Sequence, residues 1–326
     1  MSRRLTLALD QGGLTLPGDG PVVIMRPAPD FDLSALPDDR VRIEQPFKPY
    51  FDQFEARGLT CATGGTQDCA AAIVCLPRSR TLARAMVLQA CQRSGGGPVI
   101  VDGARTDGVD GLLREIRSRA PILGQMSKAH GRIFWFDALP GLFADWQPPE
   151  TLNDSGFVTT PGVFSADGID PGSKLLADTL PNLSGRHVAD LGAGWGYLGH
   201  RLLADKGIET LDLVEAGSDA LDCARRNVTD PRARFHWADA TAWKPDHRID
   251  AVVTNPPFHT GRAADPALGQ AFVAAAARIL APSGHLWLVA NRHLPYEATL
   301  AERFTMVSEV AGDNRFKVLQ GSRPRR

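Results

Sequence analysis

From residue 187 onward the chain alternates short apolar runs with amphipathic stretches. His187 to Leu191, Thr210 to Glu215, Arg234 to Trp237, Ile249 to Thr254 and His285 to Ala290 have the length and apolar density of buried strands. Between them, Tyr197 to Lys206, Ser218 to Val228, Pro266 to Leu280 and Pro295 to Phe304 have helical character. Ser218 reads as an N-cap, and Pro282-Ser283-Gly284 stops the third helix. Thr305 to Val310 and Arg315 to Leu319, around Ala311-Gly312-Asp313-Asn314, predict a closing hairpin. Strand–helix alternation predicts an α/β fold: a mostly parallel sheet with helices on both faces and an antiparallel element at one edge.

The first half has the same texture with weaker punctuation. Val22 to Met25, Val41 to Glu44, Ala71 to Cys75, Val99 to Asp102 and Ile133 to Phe136 are strand candidates. Thr81 to Arg93 and Gly108 to Arg119 are helix candidates. The prolines, Asn and Gly between Trp146 and Gly162 read as a linker, so domains are expected over 1–150 and 151–326.

Two motifs carry the chemistry. Asp190-Leu191-Gly192-Ala193-Gly194-Trp195-Gly196 joins a predicted strand to a predicted helix. Glycines there permit positive φ and let a ligand approach the backbone, beside free N–H groups at the helix start. The spacing departs from the Gly-x-Gly-x-x-Gly of dinucleotide sites, which favours S-adenosylmethionine, a nucleotide with no pyrophosphate to cradle. With 32 glycines in the chain the pattern alone arises by chance about 0.3 times. Its context is what strengthens it. Glu215 ends the next strand, where a carboxylate can accept from ribose hydroxyls or simply close the strand. Asp239 follows the third strand and can accept the adenine amino group or cap a helix. Asp190 can bond the methionine amino group through an intermediate or hold the glycine turn in shape.

The second motif, Asn255-Pro256-Pro257-Phe258, follows Ala251-Val252-Val253-Thr254. Its chance occurrence is roughly once in a thousand such chains. An exocyclic amine becomes nucleophilic when its nitrogen pyramidalises. The Asn255 side-chain oxygen and the Pro256 carbonyl can bind its two hydrogens, two prolines stiffen the turn, and Phe258 offers a face for stacking. His259 is adjacent, as pocket lining or as proton acceptor. The catalytic candidates are Asn255, Pro256 and Phe258. The cofactor candidates are Phe164, Asp190, Gly192, Gly194, Gly196, Glu215, Asp239 and Asn255. Pro257, Phe258 and His259 are the substrate candidates.

At these residues the chain resembles class I S-adenosylmethionine-dependent methyltransferases, and more narrowly the ribosomal RNA guanine-N2 methyltransferases. The narrower resemblance rests on Pro161 to Ser165, Gly168 to Leu176, Asn255 to His259, Gly284 to Asn291, Leu294-Pro295-Tyr296 and Arg315 to Val318. It implies tandem Rossmann-like methyltransferase domains, the C-terminal one a seven-stranded mostly parallel sheet and the N-terminal one degenerate, serving RNA recognition or support. It also implies S-adenosylmethionine as methyl donor, S-adenosylhomocysteine as product, and a guanine N2 of ribosomal RNA or a ribosomal subunit as acceptor, 16S favoured. Gly162, Phe164 and Ser165 would close over the cofactor, with Asp170 and Ser173 supporting that cover or starting a helix. The first half fits a non-catalytic duplicate, since Cys75-Leu76-Pro77-Arg78-Ser79-Arg80 stands where an Asn-Pro-Pro motif would be. An unrelated α/β domain is the alternative.

Composition narrows the classes. Hydrophobic residues make up 43% and charged residues 22%, as in globular proteins, with no apolar run of membrane-spanning length. Only Leu5 to Leu9 follow the basic start Met1-Ser2-Arg3-Arg4, which predicts no signal peptide and a cytoplasmic protein. Five cysteines without a Cys-x-x-Cys pair, and no His-x-x-x-His, predict reduced thiols and no metal. Net charge is −1, so RNA would meet local basic patches such as Arg78, Arg80 and Arg84, or the tail Arg323, Arg325 and Arg326. The competing readings are an adenine-N6 or protein-glutamine methyltransferase, and a non-catalytic RNA-binding or assembly factor.

Overall fold

The structure, a computed structural model, describes residues 3–65, 67–139, 141–149, 152–183, 187–257 and 266–325. The chain divides into two compact units, Met1–Glu150 and Thr151–Arg326.

The first unit contains α1 (Arg4–Asp10), β1 (Val22–Met25), β2 (Val41–Glu44), α2 (Lys48–Glu55), β3 (Thr60–Ala62), β4 (Ala71–Cys75), α3 (Arg80–Arg93), β5 (Pro98–Ala104), α4 (Val109–Arg117), β6 (Gly124–Lys128) and β7 (Gly131–Asp137). The second contains α5 (Pro171–Thr179), β8 (His187–Leu191), α6 (Tyr197–Leu202), β9 (Thr210–Glu215), α7 (Ser218–Asn227), β10 (Ala233–Trp237), β11 (Ile249–Thr254), α8 (Pro266–Ile279), β12 (Leu280–Asn291), α9 (Tyr296–Arg303), β13 (Phe304–Gly312) and β14 (Phe316–Pro324).

The two seven-stranded sheets share one topology. Their orders are β3-β2-β1-β4-β5-β7-β6 and β10-β9-β8-β11-β12-β14-β13. In each, five parallel strands are followed by an antiparallel pair at one edge. The central strands are apolar without alternation because helices cover both faces. In the second unit, Val188, Leu211, Leu213, Ala251 and Val253 join one core layer, and Ala189, Leu191, Val214, Val252 and Leu288 the other.

This strand order fixes where a ligand can sit. The chain runs outward from β8 to β10, then crosses back to β11 on the other side of β8. Side by side, β8 and β11 form a topological switch point, and a crevice opens beyond their carboxyl ends. In the second unit the glycine loop and Asn255 flank that point.

Superimposing the registers shows what the first unit has lost. Leu191 pairs with Thr254 as Met25 pairs with Val74, and the Gly192 N–H bonds Val214 O as the Arg26 N–H bonds Glu44 O. Ile24 therefore stands for Asp190, Gln45 for Glu215 and Cys75 for Asn255. Arg26 keeps the positive φ of Gly192, 56° against 75°. Gln45 Oε1 accepts the Phe47 N–H at 3.0 Å, as Glu215 Oε1 accepts the Gly217 N–H at 2.7 Å. The Gln45 amide nitrogen then donates to Pro27 O at 2.7 Å, where Glu215 accepts from Gly194. The backbone plan is retained, while both acids are replaced by uncharged side chains and proline removes loop donors.

One local expectation is corrected. Ser218 does not cap α7; the N-cap is Gly217, with no side-chain bond. The Gly217 N–H is taken by Glu215 instead, since the strand-end carboxylate lies two residues upstream.

Candidate active site

The cleft beyond β8 and β11 is lined by Phe164, Gly192, Gly194, Trp195 and Asn255, with Asp170 and Ser173 behind Asn255. Gly192, Gly194 and Gly196 all have positive φ: 75°, 55° and 91°. Their surroundings differ. A Cβ on Gly194 would meet nothing within 4 Å, so its backbone faces open space. A Cβ on Gly196 would meet Val228 at 3.0 Å and Ala224 at 3.2 Å, so this glycine lets α6 begin close against α7.

Two carboxylates stand behind the loop. Asp190, the penultimate residue of β8, has no exposed surface, and neither oxygen has a hydrogen-bond partner of normal geometry. Burial, with the nearby Glu215 charge, pushes its carboxyl up to about 8, against a weak opposing pull from the Gly199 N–H. Burial also raises Glu215, offset by N–H donors from Gly217, Gly194 and Ala216. Glu215 Oε2 accepts the Gly194 N–H at 2.9 Å, so this acid tightens the glycine turn as well as facing the crevice end of β9. Asp239 lies just past β10, and its Oδ1 accepts the Thr241 N–H at 2.8 Å and hydroxyl at 2.7 Å. That is a local turn, not a helix cap.

Asn255 follows β11 and is half-buried; Pro256 is buried and Pro257 exposed. The Thr254 hydroxyl donates to Leu191 O at 2.6 Å, tying the two strand ends together beneath the cleft. The Asn255 amide nitrogen donates to Asp170 Oδ2 at 3.0 Å and Ser173 Oγ at 2.8 Å. Phe258 and His259 lie outside the described residues, as does Arg326.

The segment before α5 reaches the same cleft. Phe164 is 55% exposed, unusual for a large aromatic. Its carbonyl accepts the Trp195 indole N–H at 3.0 Å. Asn227, at the end of α7, donates to Val158 O and Trp195 O, each at 2.8 Å, and accepts the Val158 N–H at 2.8 Å. The Phe157 and Trp195 rings are 5.0 Å apart. The roles of Thr254, Trp195 and Asn227 carried no signal in the sequence, because each acts through bonds to residues far away in the chain.

Among the described residues no group of three or more His, Cys, Asp or Glu could hold a metal ion, and no helix is long and apolar enough to cross a membrane.

Residues 154–320 match the family model described as methyltransferase small domain. Ribosomal RNA small subunit methyltransferase C of Hahella chejuensis is 30% identical over 234 residues, 68% of each chain. Its counterpart in Shewanella sp. MR-4 is 31% identical over 258 residues, 76% of this chain and 75% of the relative. The chain belongs to the ribosomal RNA guanine-N2 methyltransferase family. Within it, ribosomal RNA large subunit methyltransferase G of Streptomyces coelicolor is 38% identical, but over 52% of this chain and only 46% of that relative. A T. thermophilus 16S rRNA N2 methyltransferase, solved with AdoMet and guanosine, shares the fold: TM-score 0.76 over 95% of this chain and 90% of that one, at 24% identity. The tandem Rossmann-like architecture expected from the sequence is thus the fold of this family member.

Proposed function

We propose that this protein transfers a methyl group from S-adenosylmethionine to the exocyclic N2 of a guanine in ribosomal RNA, with small-subunit 16S RNA as substrate. One observation carries the reading: the glycine loop and Asn255 line a single cleft at the switch point of the second sheet. The small-subunit assignment follows the relatives matched over most of their length.

The residues fit the cofactor. Asp190 offers two buried carboxylate oxygens without a partner of normal geometry, suited to the amino group of a methionine moiety. The Gly194 backbone is open to close approach. Glu215 keeps acceptor capacity for ribose hydroxyls beyond the N–H bonds it accepts, and Asp239 Oδ2 can accept an adenine amine. Phe164 flanks the same cleft. When bound, S-adenosylmethionine supplies a methyl already activated on a sulfonium.

This chain's residues then have to hold the amine. Asn255 Oδ1 and the Pro256 carbonyl accept its two hydrogens and favour the pyramidal nitrogen. Pro257 stiffens the turn, and contact with the base is assigned to Phe258 and His259 from their sequence motif. A guanine within a helix leaves its stack to reach them. No strong base is needed before methyl transfer, because the proton departs from a nitrogen made acidic by its new bond. Positioning therefore supplies much of the rate.

The first unit, lacking these acids and Asn255, serves RNA recognition or structural support, and the molecule works in the cytoplasm. Arg78, Arg80, Arg84 and Arg114 gather beyond β4 and β5 and are partly balanced by Asp107 and Glu115. Incubating 16S RNA with labelled S-adenosylmethionine tests the reading. N2-methylguanine should form, and Asn255→Ala should lower kcat about 100-fold or more with cofactor affinity retained. Unchanged kcat in Asn255→Ala would contradict it.

A further inference from the structure

The amide of Asn255 is not free to turn. Its nitrogen donates to Asp170 Oδ2 at 3.0 Å and to Ser173 Oγ at 2.8 Å. A carboxylate only accepts, so the side of the amide facing Asp170 has to be NH₂. Both amide hydrogens are thereby committed, and Oδ1 is the one remaining polar atom of the side chain.

The cradle is itself held. Asp170 is the N-cap of α5, and the same Oδ2 accepts the Ser173 N–H at 2.8 Å. Pro171 opens the helix with its φ already set. Ser173 is 8% exposed. A Cβ on Gly172 would lie 3.2 Å from the Phe316 ring and 3.0 Å from Asp170 Oδ2, so α5 sits tightly on β14 at this turn. The bonds from Asn255 to these two residues span 85 and 82 positions of sequence.

We infer that Asp170 and Ser173 are positioning residues that lock the Asn255 amide nitrogen-inward, so that Asn255 presents only an acceptor to the substrate. The lock selects for chemistry. An amine meets an acceptor; a base edge offering a carbonyl or a ring nitrogen at that point meets a second acceptor and is rejected. An Asn free to flip would serve either edge. This rests on the guanine-N2 reading and assigns its discrimination to the carboxylate and hydroxyl behind Asn255. The role is distinct from covering the cofactor.

The test uses Asp170→Gly, which removes the shared oxygen at little cost to the N-cap, and Ser173→Ala, in the full chain. Two readouts are followed: methylation of guanine RNA, and its binding against the same RNA carrying inosine, which lacks the 2-amino group. The double variant should lose kcat by about tenfold or more, with cofactor affinity and Tm near wild type. Its preference for guanine over inosine should fall toward one. Wild-type kcat and preference in the double variant overturn the proposal. A kcat loss that merely tracks lost cofactor affinity or lost Tm overturns it too. A third readout is independent of turnover. In protein labelled with ¹⁵N-asparagine, the Asn255 side-chain NH₂ should exchange slowly with solvent, and rapidly in Asp170→Gly. Fast exchange in the wild type would remove the lock while leaving the guanine-N2 function standing. A protected amide on a wild type that leaves guanine unmethylated would remove the function instead, and the discrimination built on it.

Discussion

At the scale of single residues, Asp190 is the most informative side chain after Asn255. Its carboxyl is raised from 3.8 to about 8, so in the ligand-free protein it is protonated at neutral pH. A folded-state value above the unfolded one contributes stability that is complete below about 4 and is lost as pH rises through about 8. Asp190→Asn, permanently neutral and nearly isosteric, should therefore raise Tm at pH 8 by several degrees and change it little at about pH 4. Thermal melts at the two pH values check this; an equal shift at both would show that burial does not disfavour the charged form. The same substitution should weaken cofactor binding by about tenfold or more, because a neutral amide is a poor partner for an ammonium. Calorimetry reads that loss directly, and unaltered affinity would remove Asp190 from the cofactor site.

At the scale of elements, the buried parallel strands and the second unit's edges were legible, and the first unit's edge strands β3 and β6 were not. The bounds of β1, β2, β4, β8, β9 and β11 follow from apolar runs that pack on both faces. By contrast, β3 is three residues with an exposed–intermediate–exposed pattern, and β6 reads Gly-Gln-Met-Ser-Lys. Such edge strands bury one side or neither, so periodicity has little to show. The helix α1 was missed because its buried face includes Arg4, whose charge is matched by Asp102, 98 positions away. The helix α5 opens with Pro-Gly, which reads as a loop until Asp170 is seen as its cap. In the site, the glycine turn and Asn255 announced themselves by residue type. The tether of the 157–165 segment did not, since Trp195 and Asn227 hold it through contacts with residues distant in the chain. Trp195→Phe keeps the ring against Phe157 but removes the N–H to Phe164 O. It should cost about 1 kcal/mol of stability and raise KM for the cofactor severalfold. Denaturant melts and steady-state kinetics check both parts; an unchanged KM would detach this segment from cofactor binding.

At the scale of the molecule, one plan is used twice and its chemistry kept once. The first unit preserves strand order and even the positive-φ turn at Arg26, yet carries Ile24, Gln45 and Cys75 at the positions of Asp190, Glu215 and Asn255. The polar demands of the old site are met internally, as in the Gln45 amide bridging Pro27 and Phe47. A single cofactor per chain is therefore expected from calorimetry, and a stoichiometry of two would contradict the account. If the arginines beyond β4 and β5 meet phosphates, Arg78→Ala with Arg80→Ala should weaken RNA binding evenly across sequences. The slope of log affinity against log salt should fall by about one to two. A slope equal to wild type would leave that patch a solvated surface.

The central claim is that the amine held by Asn255 is a guanine N2 of 16S RNA. Mass mapping of ribosomal RNA from a strain lacking this gene tests it most directly. The account predicts loss of one N2-methylguanine from 16S RNA, restored by the wild-type gene and not by Asn255→Ala. An unchanged set of methylguanines in the deletion strain would contradict it.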